Sequence, residues 1–159
     1  MPLAAPKRLL PVALACLAVF ALFLAVAGPG HALLGLSSGP TSLKPADGVV
    51  SFPVADLADG KAHFFAVNAA GKEVRFFAVK TADGRVRTAL DACDVCYPEK
   101  KGYRQEGDFL ICINCGRRFH KTMVGDQRGG CNPSPLASEV MGDVVRVKMA
   151  DLAAGAAYF

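Results

Sequence analysis

Residues 62–90 read AHFFAVNAAGKEVRFFAVKTADGRVRTAL. Two runs rich in Phe and Val, 62–68 and 73–80, are joined by a short Ala-Ala-Gly segment, and Asp83-Gly84 follows the second run. An Asp-Gly pair between such segments is a strong hairpin signal. In the third segment, 85–91, apolar and basic residues alternate as in a half-buried strand. The stretch therefore predicts three consecutive antiparallel strands.

The rest of the C-terminal part of the chain also has β character. Apolar and basic residues alternate over 145–149, and residues 49–64 are echoed by 144–159 at a constant offset of 95. Two such strand–turn–strand units at the ends of a domain would pair or occupy related places, unless the echo is a coincidence in an Ala- and Val-rich chain. No 3.6-residue period is sustained after residue 30, so helices should be short there. These patterns predict an all-β fold, a small antiparallel sandwich or barrel.

The chain begins with a long apolar segment. Residues 9–27 are apolar apart from Pro11, and as a helix rising about 1.5 Å per residue they come close to the roughly 30 Å hydrocarbon core of a bilayer. Lys7 and Arg8 precede the segment and stay cytoplasmic by the positive-inside rule. We therefore predict one transmembrane helix in the inner membrane, with the C-terminal domain on the periplasmic side. Ala25-Val26-Ala27 also fits the small-residue rule for cleavage, so a removed signal peptide is the alternative.

Three regions follow from these patterns. Residues 1–30 form the predicted anchor or signal, residues 31–47 a flexible linker rich in Gly, Pro and Ser, and residues 48–159 a β-rich domain. Cys16 lies in a sequence faintly similar to a lipoprotein box, but the apolar run continues past it. This continuation favours an ordinary membrane cysteine.

Composition excludes several classes of function. The formal net charge is +4, from 18 basic and 14 acidic residues, and Lys7 with Arg8 supplies half of it. The remaining near-balance argues against a nucleic-acid-binding protein, which would carry a basic stripe. No phosphate-binding loop, Ser–His–Asp set or paired carboxylates support hydrolytic or phosphoryl chemistry. A redox carrier is thus favoured over a stand-alone enzyme.

Five of the six cysteines lie between residues 93 and 131. Cys93 and Cys96 form one C-x-x-C pair, and after 15 residues Cys112 and Cys115 form a second. Two such pairs at this separation are a strong metal signature, because each turn aims two sulfurs at one point. Thiolates select zinc, iron–sulfur clusters or Cu(I). Neither pair is followed by His, which disfavours covalent haem, and two C-x-x-C disulfides are the alternative.

Cys131 is left over from the two pairs. Three interpretations are open for it: a fifth metal ligand, a partner for another thiol, or a buried residue of a Gly/Pro turn. His120 lies close enough in sequence to ligate, but we predict it to be exposed, and His63 to be structural. Several nearby basic residues either offset the charge of a thiolate centre or form a solvated loop. These basic residues are Arg117, Arg118, Lys121 and Arg128.

The cysteines belong to longer motifs. These are Asp91-Ala92-Cys93-Asp94-Val95-Cys96-Tyr97, Gly102-Tyr103, Cys112-Ile113-Asn114-Cys115-Gly116, Phe119, and Gly129-Gly130-Cys131-Asn132-Pro133 with Pro135-Leu136. Over about residues 45–159 they resemble the FtrD-like family of membrane iron–sulfur proteins. Family members are associated with bacterial ferrous iron uptake beside a permease and are regarded as electron carriers. The resemblance implies a redox role, with a permease or redox protein of the bacterial inner membrane as partner.

The loop pattern is also similar, more distantly, to that of Rieske domains. Those domains carry their cluster on two loops of an antiparallel β-sandwich, and the resemblance implies a Rieske-like sandwich or barrel here. Cys96 and Cys115 stand where Rieske domains have histidines. A cluster in this chain would then be held by thiolates alone, and its potential should be low.

The nature of the centre is open at this point. Cluster proteins are normally exported folded by the twin-arginine route, yet only Lys7-Arg8 precedes the apolar segment. A chain threaded unfolded would acquire its metal outside, which favours a single iron, zinc or copper ion over a cluster. We predict an electron-transfer protein that serves iron or metal transport. The alternatives are a non-redox zinc- or copper-binding periplasmic module and a thiol–disulfide protein.

Overall fold

A computed structural model of the chain describes residues 39–159. The predicted membrane segment and residues 31–38 of the predicted linker lie outside these residues. Within 39–159, no helix is both long and apolar enough to cross a membrane. The strands are β1 (Thr41–Ser42), β2 (Val49–Pro53), β3 (His63–Ala69), β4 (Lys72–Lys80), β5 (Val86–Leu90), β6 (Tyr103–Glu106), β7 (Phe109–Cys112), β8 (Arg118–His120), β9 (Glu139–Met141) and β10 (Val144–Lys148). One short helix, α1 (Met149–Ala154), follows β10, and 3-10 turns cover Val54–Leu57, Tyr97–Glu99, Lys121–Met123 and Gly155–Tyr158.

The stretch 62–90 forms the centre of a four-stranded sheet with the order β1-β3-β4-β5. Both predicted hairpins are confirmed, since β3–β4 and β4–β5 pair antiparallel. Ala70 and Gly71 turn the first hairpin with φ of 51° and 74°, the positive values that a tight two-residue hairpin turn requires. β1 adds to the sheet edge in parallel with β3.

Strand β4 is buried on both faces. Val74, Phe76 and Ala78 point into one cluster of buried residues, and Phe77 points into another. The first, which we call the main core, contains residues of β2–β5, β10, α1 and the adjoining turns. The second, the cysteine-side core, consists of Phe77, Ala89, Cys93, Cys96, Tyr103, Leu110, Cys112, Val124 and Cys131. Successive side chains of a strand point to opposite faces, so the Phe-Phe pair of β4 connects the two cores.

The two ends of the domain pair with each other, as the sequence echo predicts. β2 and β10 are antiparallel neighbours in a sheet with the order β2-β10-β9. Ser51 pairs with Arg146, its own counterpart at an offset of 95, so the pairing is symmetric about this point. Leu57 and Leu152, another echoed pair, are both fully buried in the main core. The second unit differs from the prediction in one respect, because Met149 begins α1 and no strand follows.

A third sheet, β6-β7-β8, carries the second cysteine pair. Sequence analysis did not predict these strands, which are three or four residues long. The described part of the chain is thus mostly β, with open sheets and short helices, which confirms the predicted fold class at this level. The Rieske-like arrangement stays a prediction.

Candidate metal centre

Two loops present the predicted ligands. Cys93 and Cys96 lie in the loop after β5, whereas Cys112 is the last residue of β7 and Cys115 lies in the turn before β8. The turn is closed by a hydrogen bond from the Gly116 N–H to the Cys112 carbonyl, at 2.8 Å. The Ile113 N–H donates to the Gly102 carbonyl at 3.0 Å and ties the second loop to the start of β6. In the first loop the Tyr97 N–H donates to the Cys93 carbonyl at 3.2 Å, so both loops are fixed by backbone contacts.

All five described cysteines come together in two groups of three. Cys93, Cys96 and Cys112 form what we call the inner triad, with their sulfur atoms within 4.8 Å of one another. Cys96, Cys115 and Cys131 form the outer triad at the same spacing. Cys96 belongs to both triads, and its sulfur lies 3.8 Å from that of Cys131. The structure thus brings the four predicted ligands together and adds Cys131 to them.

The donor set fits a thiophilic metal. A tetrahedral ion with metal–sulfur bonds of about 2.3 Å has sulfur–sulfur edges of about 3.8 Å, and the distance between the Cys96 and Cys131 sulfurs is the same. Soft sulfur donors select iron–sulfur clusters, zinc or Cu(I) over calcium or magnesium. No carboxylate or imidazole belongs to either triad. The cysteine cluster can therefore hold a metal ion or an iron–sulfur cluster.

Comparison with known proteins agrees with this donor set. The family described as membrane iron–sulfur containing protein, FtrD-like, matches residues 57–159, which is more than half of the chain. The chain belongs to the FtrD-like family. No curated protein and no solved structure gives a significant match. The family is iron–sulfur containing and membrane-associated, as the motifs around the cysteines indicated.

The thiols of this FtrD-like protein differ in exposure and acidity. Cys115 is exposed, and the other four are buried. Burial raises the pKa of the Cys112 and Cys131 thiols to about 12. The backbone N–H of Arg117 donates to Cys115 and lowers the pKa of that thiol to about 7. Because the thiolate is the form that binds metal, Cys115 is the best prepared of these three at neutral pH.

A buried carboxyl joins the first cysteine loop to the start of β6. Asp91, two residues before Cys93, accepts a hydrogen bond from the Tyr103 N–H at 2.6 Å, and its other oxygen lies 3.8 Å from Nε of Arg75. Burial raises the pKa of Asp91 to about 7. Gly102 lies directly against this carboxylate. Asp91 and Gly102 stood in the motifs that resemble the FtrD-like family, but sequence analysis gave them no role.

Tyr103 supports a third loop, residues 129–133, which carries Cys131. Its hydroxyl donates to the Cys131 carbonyl at 2.7 Å, and its ring packs against Phe77 and Phe119. The third loop is thereby attached to the small β6-β7-β8 sheet. Sequence analysis did not detect this contact because 28 residues separate the two partners.

The predicted histidine and basic candidates lie outside the triads. His120 is exposed and caps a 3-10 turn by accepting from the Thr122 N–H, and His63 contacts Asp59 at 2.9 Å. Arg118 stacks on the ring of Phe109. Lys121 contacts Asp108 at 2.9 Å. In these contacts Arg118 and Lys121 pair with groups other than the thiols, which does not support an offset of the thiolate charge by these two side chains.

Proposed function

We propose that this protein is a membrane-anchored electron carrier that serves bacterial iron or metal transport through an iron–sulfur centre. The proposed ligands are Cys93, Cys96, Cys112 and Cys115. The observation that carries the proposal is the convergence of thiols from two loops, with sulfurs spaced as metal ligands, in a member of an iron–sulfur family. We further propose residues 1–30 as the anchor, 31–47 as the linker and 48–159 as the periplasmic domain.

The exposure of one edge of the centre supports electron transfer. Cys115 is exposed, whereas the inner triad is buried. The residues between the paired cysteines add an apolar surface there, since Val95 is 61% and Ile113 is 43% exposed. Each of these two residues follows a cysteine of the centre within two positions, so we propose them as the points where a partner surface would contact it. A redox partner docked on this edge would come close to the outer thiols.

Backbone N–H groups that donate hydrogen bonds to the cysteine sulfurs support a centre whose reduction potential is set by the protein. The Cys96 N–H donates to the Cys93 sulfur at 3.2 Å, and the Arg117 N–H donates to Cys115. Hydrogen bonds to the sulfurs stabilise their negative charge and raise the potential of a thiolate-bound centre. Backbone N–H groups are fixed in place, so they supply this stabilisation without reorganisation.

Anaerobic purification of the full chain in detergent tests the proposal. We expect visible absorption of an iron–sulfur centre, an EPR signal after reduction, and iron with acid-labile sulfide in equal amounts. A colourless, EPR-silent protein that carries stoichiometric zinc would contradict it. An iron-free protein with disulfides between the paired cysteines would contradict it as well.

A mononuclear, non-redox metal module is the second candidate function. It is supported by the spacing within each triad, which is close enough for three thiols to bind one ion. Such a module would keep one zinc or Cu(I) ion through oxidation and reduction. Metal analysis of the same anaerobic protein separates the two candidates, because only the cluster brings labile sulfide.

A charge at the apolar edge should slow electron transfer to the membrane partner. In Val95→Asp and Ile113→Asp, docking would bury an unpaired carboxylate against that partner. If this weakens docking by about 1.4 kcal/mol or more, the rate of electron transfer falls at least about tenfold. Stopped-flow oxidation of the reduced centre in native membranes measures the effect.

Val140→Asp is the matched control, because Val140 is 51% exposed but lies on β9. We expect the control to react at the wild-type rate, and all three variants to react with ferricyanide as wild type does. Equal rates for the edge variants and the control in membranes would exclude docking at this edge.

A further inference from the structure

The outer triad contains one thiol more than the proposed centre uses. Cys93 and Cys112 occur only in the inner triad, and Cys96 is common to both. Cys115 shares the outer triad with Cys131, whose sulfur lies 3.8 Å from that of Cys96. The proposed centre uses four thiols, and the fifth, that of Cys131, lies in the outer triad.

The loop of Cys131 is fixed to the same framework as the first cysteine pair. Gly129 and Gly130 both have positive φ, 83° and 60°, which turns the chain sharply before Cys131. After it, the Ser134 N–H donates to the Ala92 carbonyl at 2.9 Å. The Tyr103 hydroxyl holds the Cys131 carbonyl from the other side at 2.7 Å. Contacts of the protein itself therefore hold the Cys131 thiol beside Cys96.

The two thiols that occur only in the outer triad, those of Cys115 and Cys131, differ in their exposure to solvent. Cys115 is exposed, and Cys131 is only 8% exposed. Exposed thiolates are the ones that oxidants attack, whereas buried thiols are inert. A buried thiol within reach of the same metal position would keep the centre ligated after Cys115 is lost.

We propose that Cys131 is a reserve ligand of the outer metal position and binds there in place of Cys115. This inference rests on the proposed function, because it assumes the metal centre proposed there. In the exchange, the bond from the metal to the Cys115 sulfur breaks and one to the Cys131 sulfur forms. The Cys131 thiol proton passes to water, and no electron moves. Cys93 and Cys112 have no such reserve.

Serine variants of the full chain, purified anaerobically, test the exchange. The readouts are iron and sulfide content together with EPR g values. Cys115→Ser should retain the centre with shifted g values, and Cys131→Ser should retain it with the g values of wild type. The double variant should be as empty as Cys112→Ser. Thermal melting of each variant checks that the domain is folded, and Cys131→Ala serves if the serine is not tolerated.

Two results would overturn the exchange: a Cys115→Ser protein as empty as Cys112→Ser, or a double variant that still holds the centre. The outcome is separate from that of the proposed function. If wild type binds zinc in place of a cluster, the electron-carrier proposal fails, and the same four variants then test the exchange through their zinc content.

Discussion

Cys112→Ser should empty the metal centre while the β-domain stays folded. The Cys112 side chain is 1% exposed, ends β7 and belongs only to the inner triad. In structural zinc sites four ligands share a binding free energy of about 10–16 kcal/mol, or about 3 kcal/mol each, and on that scale the loss of one weakens metal binding by roughly a hundredfold. Serine keeps the volume but offers a hard oxygen donor, which soft metals disfavour.

Metal analysis and circular dichroism together check this expectation. The main core contains no cysteine, so the spectrum of the β-sheets should persist in the emptied protein. Val124→Thr is the matched control, because Val124 is 3% exposed in the same cysteine-side core and the change also introduces a buried hydroxyl. The control should keep its metal. Equal metal content in Cys112→Ser and wild type would remove Cys112 from the ligand set.

The hairpins of the central sheet were predictable because their signals are local. Asp83-Gly84 and the turn at Ala70-Gly71 lie between Phe- and Val-rich runs, and a tight turn fixes the pairing of the strands it joins. The pairing of β2 with β10 could also be predicted, although nearly the whole domain separates them, because the echo at an offset of 95 relates the two strands. The repeated sequence pattern indicated that these two distant strands are related.

The small sheet and the third cysteine loop could not be predicted in the same way. β8 is only three residues long, and its single apolar residue, Phe119, is too little for an alternating pattern to be recognised. The Cys131 loop is held near the other thiols by the hydrogen bond from Tyr103 to Cys131, which spans 28 residues, and by the one from Ser134 to Ala92, which spans about 40. Residue types and spacing predict the four paired cysteines as candidate ligands, whereas the position of the fifth depends on tertiary contacts alone.

Gly102→Ala should strongly destabilise the domain and the centre with it. Gly102 has a φ of 69°, and a Cβ at this position would overlap the carboxylate of Asp91. The left-handed backbone costs an alanine about 1–2 kcal/mol, and overpacking at a buried contact adds about 1–3 kcal/mol. The Gly102 carbonyl also accepts from the Ile113 N–H, so relief of the overlap would displace the second cysteine loop.

Denaturant unfolding, followed with metal content, measures both effects. Gly107→Ala is the matched control, since Gly107 has a φ of 57° but no atom lies within 4 Å of its would-be Cβ. It should lose only the backbone term of about 1–2 kcal/mol and keep its metal. Equal losses in the two variants would mean that the contact with Asp91 is not responsible.

The overlap predicts a specific coupling between Gly102 and Asp91. Asp91→Ala alone should be destabilising, because it leaves the buried Tyr103 N–H without its acceptor. In the double variant, however, the new methyl group no longer meets a carboxylate. The double variant should therefore lose less stability than the sum of the single losses, by about 1–3 kcal/mol. Strictly additive losses would place the strain of Gly102→Ala in the backbone and not in its contact with Asp91.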